Sequence, residues 1–305
     1  MSQWIGWLRR LAAEPCAMVS VLATEGSAPR GAGTRMLVRA GAQEGTIGGG
    51  QLEYRAVEQA RAILDHPVGS WRVQDYPLGP MLGQCCGGRV RLLIEHLDPA
   101  GLDWLHDAEP GRMLETRFEE GAIARRIHER ETATRQSARS AKPRAGTRVI
   151  EPVGERPRPV YLFGAGHVGQ AIARHATGLP LQLAWFDTRP ELEAIDGVTV
   201  VALEDIAQCV EAAPAEAAIV ILTHDHPLDY HLTLAALGRD PVAFVGLIGS
   251  STKLARFRSR LKADGIGEEA LARLTAPIGV PGVRGKEPDV IAIAILAQLL
   301  QLRGQ

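Results

Sequence analysis

The sequence is poor in aromatic side chains, in cysteine and in net charge. Phenylalanine, tryptophan and tyrosine make up 5% of its 305 residues, 4 residues are cysteine, and the formal net charge is -1 at pH 7. The near-neutral charge argues against a general attraction to nucleic acid or to anionic membranes, and few rings are present for base stacking. We therefore expect no nucleic acid and no membrane among the partners of this protein.

Long hydrophobic runs and targeting signals are also missing. The longest apolar candidate, residues 290–300, contains Gln298 and is shorter than the roughly 20 residues that span a bilayer. The sequence does not begin with a basic region followed by an apolar stretch, so no secretory signal is expected. These absences and the low cysteine count predict a cytoplasmic protein with reduced thiols.

The patterns that are present divide the chain into two predicted domains. Residues 1–152 combine short strands, glycine turns and one long helical pattern, which predicts a smaller α+β N-terminal domain. Within it, residues 122–148 hold eight Lys or Arg and two acidic residues, a composition that favours a solvated, mobile segment over a partner-binding arm. Residues 153–159 are the predicted linker. Residues 160–305 alternate strand and helix patterns, so the fold class is α/β, with a Rossmann-like parallel sheet in the C-terminal half.

Two adjacent thiols lie between glycine pairs in Gly83-Gln84-Cys85-Cys86-Gly87-Gly88. Adjacent cysteines rarely bond to each other, because the disulfide dihedral strains the short ring, and the pair lacks the C-x-x-C spacing of structural zinc sites. Soft thiolates suit soft metals and sulfur chemistry. The alternative is a pair of small buried side chains, which is our interpretation of Cys16 and Cys209; the flanking glycines favour function for Cys85 and Cys86.

A dinucleotide fingerprint, Gly164-Ala165-Gly166-His167-Val168-Gly169, lies between a predicted strand and a predicted helix. In this pattern the first glycine permits a tight turn, the second lets backbone N–H groups meet a phosphate at the start of the helix, and the third allows close packing of helix on strand. Asp187 ends the next predicted strand and is expected to accept hydrogen bonds from an unphosphorylated ribose. The alternative is a Rossmann-like domain that holds no nucleotide.

Further polar motifs follow later strands at the same predicted edge of the sheet. His224, Asp225 and His226 suit metal binding or proton transfer, and the alternative is helix capping by Asp225 and Asp229. A stable zinc site is not favoured, because no third ligand at suitable spacing is apparent. Gly249 and Ser250 precede a basic helix and suit a phosphate or pterin oxygen, with an ordinary N-cap as the alternative.

A glycine run also opens a helix in the N-terminal half, where Gly48, Gly49 and Gly50 form a second possible anion cradle. Arg30 and Arg35 flank another glycine loop and could add charge-assisted hydrogen bonds to an anion. Together these features predict binding of a ligand that carries phosphate.

In combination, the motifs resemble one family, the xanthine dehydrogenase accessory proteins of the XdhC/CoxI group. The resemblance covers nearly the whole chain except the basic stretch near 122–148. It rests on five segments: Gly45-Thr46-Ile47-Gly48-Gly49-Gly50-Gln51-Leu52-Glu53, Gly83-Gln84-Cys85-Cys86-Gly87-Gly88, Phe163-Gly164-Ala165-Gly166-His167-Val168-Gly169, Thr223-His224-Asp225-His226 and Val245-Gly246-Leu247-Ile248-Gly249-Ser250.

The resemblance implies a chaperone that binds the molybdenum cofactor in its molybdopterin form. Such proteins hold the cofactor while a cysteine desulfurase supplies a terminal sulfido ligand, and then pass it to xanthine dehydrogenase. It also implies a carrier and maturation factor rather than a turnover enzyme. On this interpretation Cys85 and Cys86 ligate molybdenum or carry a persulfide, and Gln84 donates a hydrogen bond to a molybdenum oxo group. Base rates for oligomers add the expectation of a homodimer.

Two other functions remain open from the sequence. An NAD-dependent oxidoreductase would use Asp187 on the ribose and His224 or His226 as proton donor, but would leave the paired thiols without a role. A scaffold between a desulfurase and a dehydrogenase would need no ligand.

Overall fold

The structure is a computed structural model that describes residues 3–11, 14–79, 87–134, 136–239 and 243–302. The chain divides into two compact units, Met1–Arg156 and Pro157–Gln305. This boundary falls inside the segment 153–159 that the sequence predicts as a linker. Among the described residues, no helix has the length and apolar character needed to cross a bilayer.

The N-terminal unit contains two antiparallel sheets. The larger has the strand order β3-β2-β1-β5-β4 and is formed by β1 (Ala17–Glu25), β2 (Arg35–Val38), β3 (Gln43–Gly45), β4 (Trp71–Pro77) and β5 (Arg89–His96). The smaller has the order β7-β6-β8 and is formed by β6 (Met113–Glu119), β7 (Ala122–His128) and β8 (Arg148–Pro152). The described part of the unit also includes helices α1 (Gln3–Leu11) and α2 (Gly50–Ile63), and 3₁₀ turns at Pro99–Gly101 and Asp103–Asp107.

Strand β1 is buried on both faces, because side chains alternate along a strand. Val19 and Val21 pack with helix α2 in one core cluster, whereas Met18 packs with α1 and Trp104 in another. Helix α2 contributes an apolar stripe at helical spacing, formed by Leu52, Ala56, Ala60 and Ile63. The central strand therefore holds the loops at its two ends in fixed positions.

The segment 122–148 differs from the expected solvated chain, because its first residues form strand β7, which pairs with β6 along its full length. Ile123 and Ile127 pack against core clusters. Between them Arg125 turns inward and forms an ion pair with Glu95, and both side chains are almost fully buried. The alternating pattern of a strand was hidden in the sequence because a buried arginine occupies one of its inward positions.

The C-terminal unit is a parallel six-stranded sheet in the order β11-β10-β9-β12-β13-β14. Its strands are β9 (Arg158–Phe163), β10 (Leu181–Asp187), β11 (Val198–Val200), β12 (Ala218–Ile221), β13 (Phe244–Leu247) and β14 (Leu274–Thr275). Its helices are α3 (His167–Ala176), α4 (Ile206–Glu211), α5 (His226–Gly238), α6 (Ser251–Ala263), α7 (Glu268–Ala272) and α8 (Pro288–Gln301), with a 3₁₀ turn at Pro190–Leu192.

Helices cover both faces of this sheet, as its nearly continuous apolar strands require. Ile219 and Ile221 face a core shared with α4 to α7, whereas Ala218 and Val220 face α3 and α8. The strand order reverses between β9 and β12, which is the point where Rossmann folds bind ligands beyond the carboxyl ends of their strands. The structure therefore confirms the predicted Rossmann-like domain.

Candidate functional site

The loops of the N-terminal unit meet at one edge of its five-stranded sheet. Because neighbouring strands are antiparallel, the end of one strand lies beside the start of the next. The strand ends at this edge are Glu25 of β1, Arg35 of β2, Gly45 of β3, Pro77 of β4 and Arg89 of β5. Helix α2 also begins here, directly after the Gly48–Gly50 turn. The Gly48–Gly50 turn and the loop that carries Arg30 and Arg35 thus lie at the same edge.

The paired thiols Cys85 and Cys86 and the neighbouring Gln84 lie outside the described residues. Along the chain they fall in the connection from β4 to β5, whose described ends are joined by a 2.9 Å hydrogen bond from Leu78 N to Gly88 O. A Cβ atom on Gly88 would lie 2.2 Å from the carbonyl oxygen of Ser27. Glycine at this position therefore allows the connection to pack against the β1–β2 loop.

The Gly48–Gly50 turn is filled by a carboxylate of the protein itself. Glu53 Oε2 accepts hydrogen bonds from Thr46 Oγ1 at 2.5 Å and from the backbone N–H groups of Ile47 and Gly49 at 3.0 Å. Burial by itself raises the pKa of Glu53, but these hydrogen bonds together lower it below its usual value. Of the glycines in the expected anion cradle, Gly49 therefore donates to Glu53, and Gly48 N donates to Thr46 Oγ1 at 3.0 Å. Glu53 thus organises the turn.

A cavity of about 780 Å³ lies among these loops. One wall is aromatic, with Trp4 and Trp7 of α1, and the guanidinium of Arg35 lies 4.2 Å from the Trp4 ring centroid. Arg35 is 4% exposed and pairs with Glu151, while its Nε has no hydrogen-bond partner among the described residues. Arg30 also lines the cavity and is exposed to solvent. A cavity of this size, with aromatic walls and a few polar groups, is typical of a small-molecule site.

Another wall of the cavity is formed by Ala133, Thr134 and Gln136, and the chain that follows Gln136 is held by Arg91. Arg91 is 1% exposed and donates to both carboxylate oxygens of Asp75, at 2.7 and 3.0 Å. It also donates to four backbone carbonyl oxygens, those of Ser137, Ala138, Ser140 and Ala141. A buried guanidinium whose donors are satisfied in this way fixes the path of the segment.

In the C-terminal unit, the three fingerprint glycines lie where the strand order reverses between β9 and β12. They differ in how closely other atoms approach them. A Cβ atom on Gly164 would lie 2.4 Å from Leu222 O, and one on Gly169 would lie 2.2 Å from Gly164 O. Among the residues that the structure describes, no atom lies within 4 Å of a Cβ built on Gly166. His167 begins α3 and is exposed. The first and third glycines thus serve packing, and the second faces open space where a ligand could approach.

Asp187 lies beside this turn, as the spacing predicts, but its oxygens are already engaged. Its Oδ2 accepts from Ala165 N at 2.6 Å and from Arg189 Nη2 at 2.9 Å. Its Oδ1 accepts from the backbone N and the Nε of Arg189, each at 3.0 Å. Burial raises the pKa of Asp187, yet the hydrogen bonds from Arg189 and Ala165 lower it overall. At 3% exposure the carboxylate has no open position for a ribose diol unless Arg189 moves.

Asp225 caps α5, because its side chain accepts from Leu228 N at 3.3 Å. His224 and His226 on either side of it are exposed. The helix-capping interpretation of Asp225 is thus observed, and both imidazoles remain open to solvent. Among the residues that the structure describes, no group of three or more His, Cys, Asp or Glu side chains is placed to hold a metal ion.

A buried ion pair, Asp229 with Lys253, lies behind this loop. Asp229 is 1% exposed, and its Oδ1 accepts from Thr223 Oγ1 at 2.7 Å while its Oδ2 accepts from Lys253 Nζ at 2.5 Å. A Cβ atom on Gly249 would lie 2.6 Å from the Cδ of Lys253, so this glycine admits the lysine stem. Ser250 caps α6 through a 3.3 Å hydrogen bond from Lys253 N. Gly249 and Ser250 therefore have structural roles that account for their positions.

Sequence reasoning missed the roles of Glu53, Arg91, Arg189 and the Asp229–Lys253 pair. Glu53 reaches back to the amide of the N-cap residue Gly49, as the carboxylate of a capping box does, but Thr46 lies seven residues before it and the three-residue spacing of that motif is absent. The sequence therefore holds no local signal for Glu53. Arg189 lies two residues after Asp187, and an arginine near this acid is a known variation of the fingerprint.

Comparisons with known proteins agree with this architecture. A family model described as the XdhC Rossmann domain matches residues 160–299, and one described as the XdhC and CoxI family matches residues 10–76. Together the two matches include about two thirds of the chain.

A curated Escherichia coli (strain K12) protein named uncharacterized protein YqeB is 29% identical over 297 residues, which is 95% of this chain and 44% of that protein. The chain thus spans less than half the length of this relative. A crystal structure described as a xanthine dehydrogenase from Bacillus halodurans superposes with a TM-score of 0.75 at 20% identity, covering 99% of this chain and 96% of that one. At this identity the similarity establishes the fold. On the matches of both family models, the chain belongs to the XdhC and CoxI family, and its C-terminal unit is the XdhC Rossmann domain.

Proposed function

We propose that this protein binds the molybdenum cofactor, holds it while a cysteine desulfurase supplies a terminal sulfido ligand, and delivers it to xanthine dehydrogenase. Membership of the XdhC and CoxI family supports a role in xanthine dehydrogenase maturation. The cofactor is cargo in this proposal. The chain is therefore a carrier, and the sulfur-transfer chemistry belongs to the desulfurase.

The observation that carries the proposal is the convergence of loops at one edge of the N-terminal sheet. The cavity of about 780 Å³ is lined by residues at this edge, among them Thr24, Arg35 and Gly45. The connection that contains Cys85 and Cys86 in the sequence leaves the sheet at Pro77 and returns at Arg89 beside the same loops. The cavity thus lies at the end of the sheet where the described ends of this connection, Leu78 and Gly88, are joined.

The chemistry of the cavity fits a phosphorylated pterin. Trp7 provides an aromatic surface against which a flat ring can pack. The side-chain amide of Gln136 both donates and accepts hydrogen bonds, as the polar edge of a pterin requires. Arg30 is exposed at the cavity and suits a phosphate. Thiolates at Cys85 and Cys86 would supply soft ligands for molybdenum or carry a persulfide.

The Gly48–Gly50 turn contributes indirectly. Because Glu53 already accepts from the amides of Ile47 and Gly49, a second anion at those amides would meet a like charge. We therefore assign the phosphate to Arg30 rather than to this turn. Glu53 keeps the turn in place beside the cavity, where Thr46 is one of the lining residues.

The geometry of Asp187 favours the carrier over an NAD-dependent oxidoreductase. A ribose diol needs free acceptor positions, and both oxygens of Asp187 accept from Ala165 or Arg189. The oxidoreductase hypothesis also leaves the paired thiols without a role.

The test is retention of molybdenum by the purified protein. Protein would be mixed anaerobically with the cofactor, desalted and analysed for molybdenum, beside the double variant Cys85→Ser/Cys86→Ser. Cys209→Ser is the matched control, because it removes a half-buried thiol from the other unit. We expect about one molybdenum per chain on the wild type and on the control, and loss from the double variant.

Absence of molybdenum from the wild-type protein would rule out the carrier. Full retention of molybdenum by the double variant would be consistent with a carrier, but it would show that Cys85 and Cys86 are not needed for binding.

A further inference from the structure

A second cavity, of about 430 Å³, lies between helices α5 and α6 of the C-terminal unit. It belongs to the carboxyl edge of the parallel sheet, because α5 follows strand β12 and α6 follows strand β13. Its walls come from the first residues of both helices and from one face of α6. They are formed by His226, Pro227, Tyr230, Ser250, Thr252, Lys253, Arg256, Phe257 and Arg260.

The lining of this cavity carries positive charge and no carboxylate. Lys253 is balanced by the buried Asp229, to which its Nζ donates at 2.5 Å. Arg256 and Arg260 are one helical turn apart on α6 and both are exposed. Two guanidinium groups therefore remain as excess positive charge at the cavity. Such a lining attracts anions and repels cations.

The helices add to this field. Both α5 and α6 have 13 residues, and each begins at the cavity, α5 at His226 and α6 just after Ser250. The positive ends of two helix dipoles thus lie at the same space.

Arg260 is held in a defined position. Its guanidinium carbon lies 4.0 Å from the ring centroid of Tyr230, and the hydroxyl of Tyr230 donates to Asp264 Oδ2 at 2.5 Å. Tyr230 in turn meets Phe257 edge to face, with ring centroids 5.2 Å apart. A guanidinium stacked on a fixed ring loses less freedom when it binds a ligand than an unsupported one does. The cavity thus offers one cation stacked on Tyr230 and one exposed cation beside an aromatic wall.

We propose that this cavity binds the phosphoryl group of a small molecule through the guanidinium groups of Arg256, in the middle of α6, and Arg260, in its last turn. Guanidinium groups match the geometry of phosphate oxygens by paired hydrogen bonds. The volume exceeds what one phosphate fills, so a substituent on the phosphate would lie against Tyr230 and Phe257. Every lining residue belongs to the C-terminal unit.

The test is calorimetric titration of the full-length protein with inorganic phosphate, pyrophosphate and adenosine monophosphate. The variants are Arg256→Gln and Arg260→Gln. The matched control is Arg258→Gln, which removes the same charge from the same helix but lies at a different hollow of the surface. We expect each cavity variant to weaken binding of the tightest probe about tenfold or more, since a charge-assisted hydrogen bond is lost. The control should change the dissociation constant less than twofold.

The three probes distinguish the source of the phosphoryl group. Tighter binding of adenosine monophosphate than of inorganic phosphate supports a phosphate ester, whereas equal or weaker binding supports the free anion. No measurable binding of any probe to the wild type would overturn the proposal. An equal loss of affinity in Arg258→Gln and Arg256→Gln would also overturn the proposal, because binding would then depend on the total charge of the helix and not on the cavity. Circular dichroism of each variant checks that the fold is retained.

Discussion

Replacing Arg91 by lysine should release the segment that follows the cavity wall. Lysine keeps the positive charge beside Asp75 but has three donors in place of five, so at least two of the four carbonyl oxygens between Ser137 and Ala141 lose their donor. Losing two hydrogen bonds from a charged donor, at about 1.5 kcal/mol each, costs about 3 kcal/mol. Since 1.4 kcal/mol is a factor of ten, the open state of the segment should become about 100-fold more populated.

Limited trypsin digestion measures this opening, because cleavage follows the population of the open state when opening is rapid. The segment offers two cleavable bonds, after Arg139 and after Arg144, while the bond after Lys142 is protected by Pro143. We expect cleavage at the first two bonds to accelerate at least tenfold in Arg91→Lys.

Arg89→Lys is the matched control for that experiment, because Arg89 lies two residues earlier on β5, on the same face, and is only half-buried. Its digestion should follow the wild type. An unchanged cleavage rate in Arg91→Lys would refute the claim that this arginine fixes the segment.

Two further predictions concern the glycine turns. Glu53→Gln should lower the free energy of unfolding by about 1–2 kcal/mol at pH 7. Folding lowers the pKa of Glu53, so the stability that the carboxylate adds is complete above its unfolded pKa of about 4.3. This stability disappears as the pH falls through the pKa of Glu53 in the folded protein. Urea titration followed by tryptophan fluorescence reports mainly the N-terminal unit, which holds 4 of the 5 tryptophans, and an equal deficit at pH 7 and at the acid end would contradict the prediction. In the C-terminal unit, Gly164→Ala should lower the free energy of unfolding by about 2 kcal/mol or more, because the added Cβ would lie 2.4 Å from Leu222 O. Gly166→Ala should lower it by less than about 1 kcal/mol, because the added Cβ meets no atom of the described residues within 4 Å. Thermal unfolding by circular dichroism compares the pair, and equal melting temperatures would contradict the assignment.

The sequence predicted most where structure depends on local spacing. The Gly164–Gly169 fingerprint, with a strand before it and Asp187 at the end of the next strand, was sufficient for a Rossmann-like sheet, because the turn, helix start and packing contact lie within six residues. The alternation of strand and helix patterns also predicted a parallel sheet with right-handed crossovers, whereas the order of the strands was not predicted. These are short-range rules, and the structure obeys them.

The sequence predicted least where a side chain finds a distant or competing partner. The carbonyl acceptors of Arg91 lie 46 to 50 residues further along the chain, so no local pattern reveals them. Asp187 occupies the position expected of a ribose ligand, yet Arg189 and Ala165 saturate it. Sequence spacing predicts where a polar side chain lies, but only the folded structure shows which donors form hydrogen bonds with it. The same holds for Glu53, which fills a turn that by composition alone is suited to an external anion.

The most direct test of the carrier is transfer of molybdenum to cofactor-free xanthine dehydrogenase. The protein would be loaded anaerobically, freed of unbound cofactor, mixed with the dehydrogenase and separated from it by size, and molybdenum would be measured in both fractions. We predict that molybdenum leaves the wild-type chain and is found with the dehydrogenase, and that Cys85→Ser/Cys86→Ser delivers none because it never loads. Molybdenum that never binds the wild-type chain, or that stays on it in the presence of the dehydrogenase, would contradict the account.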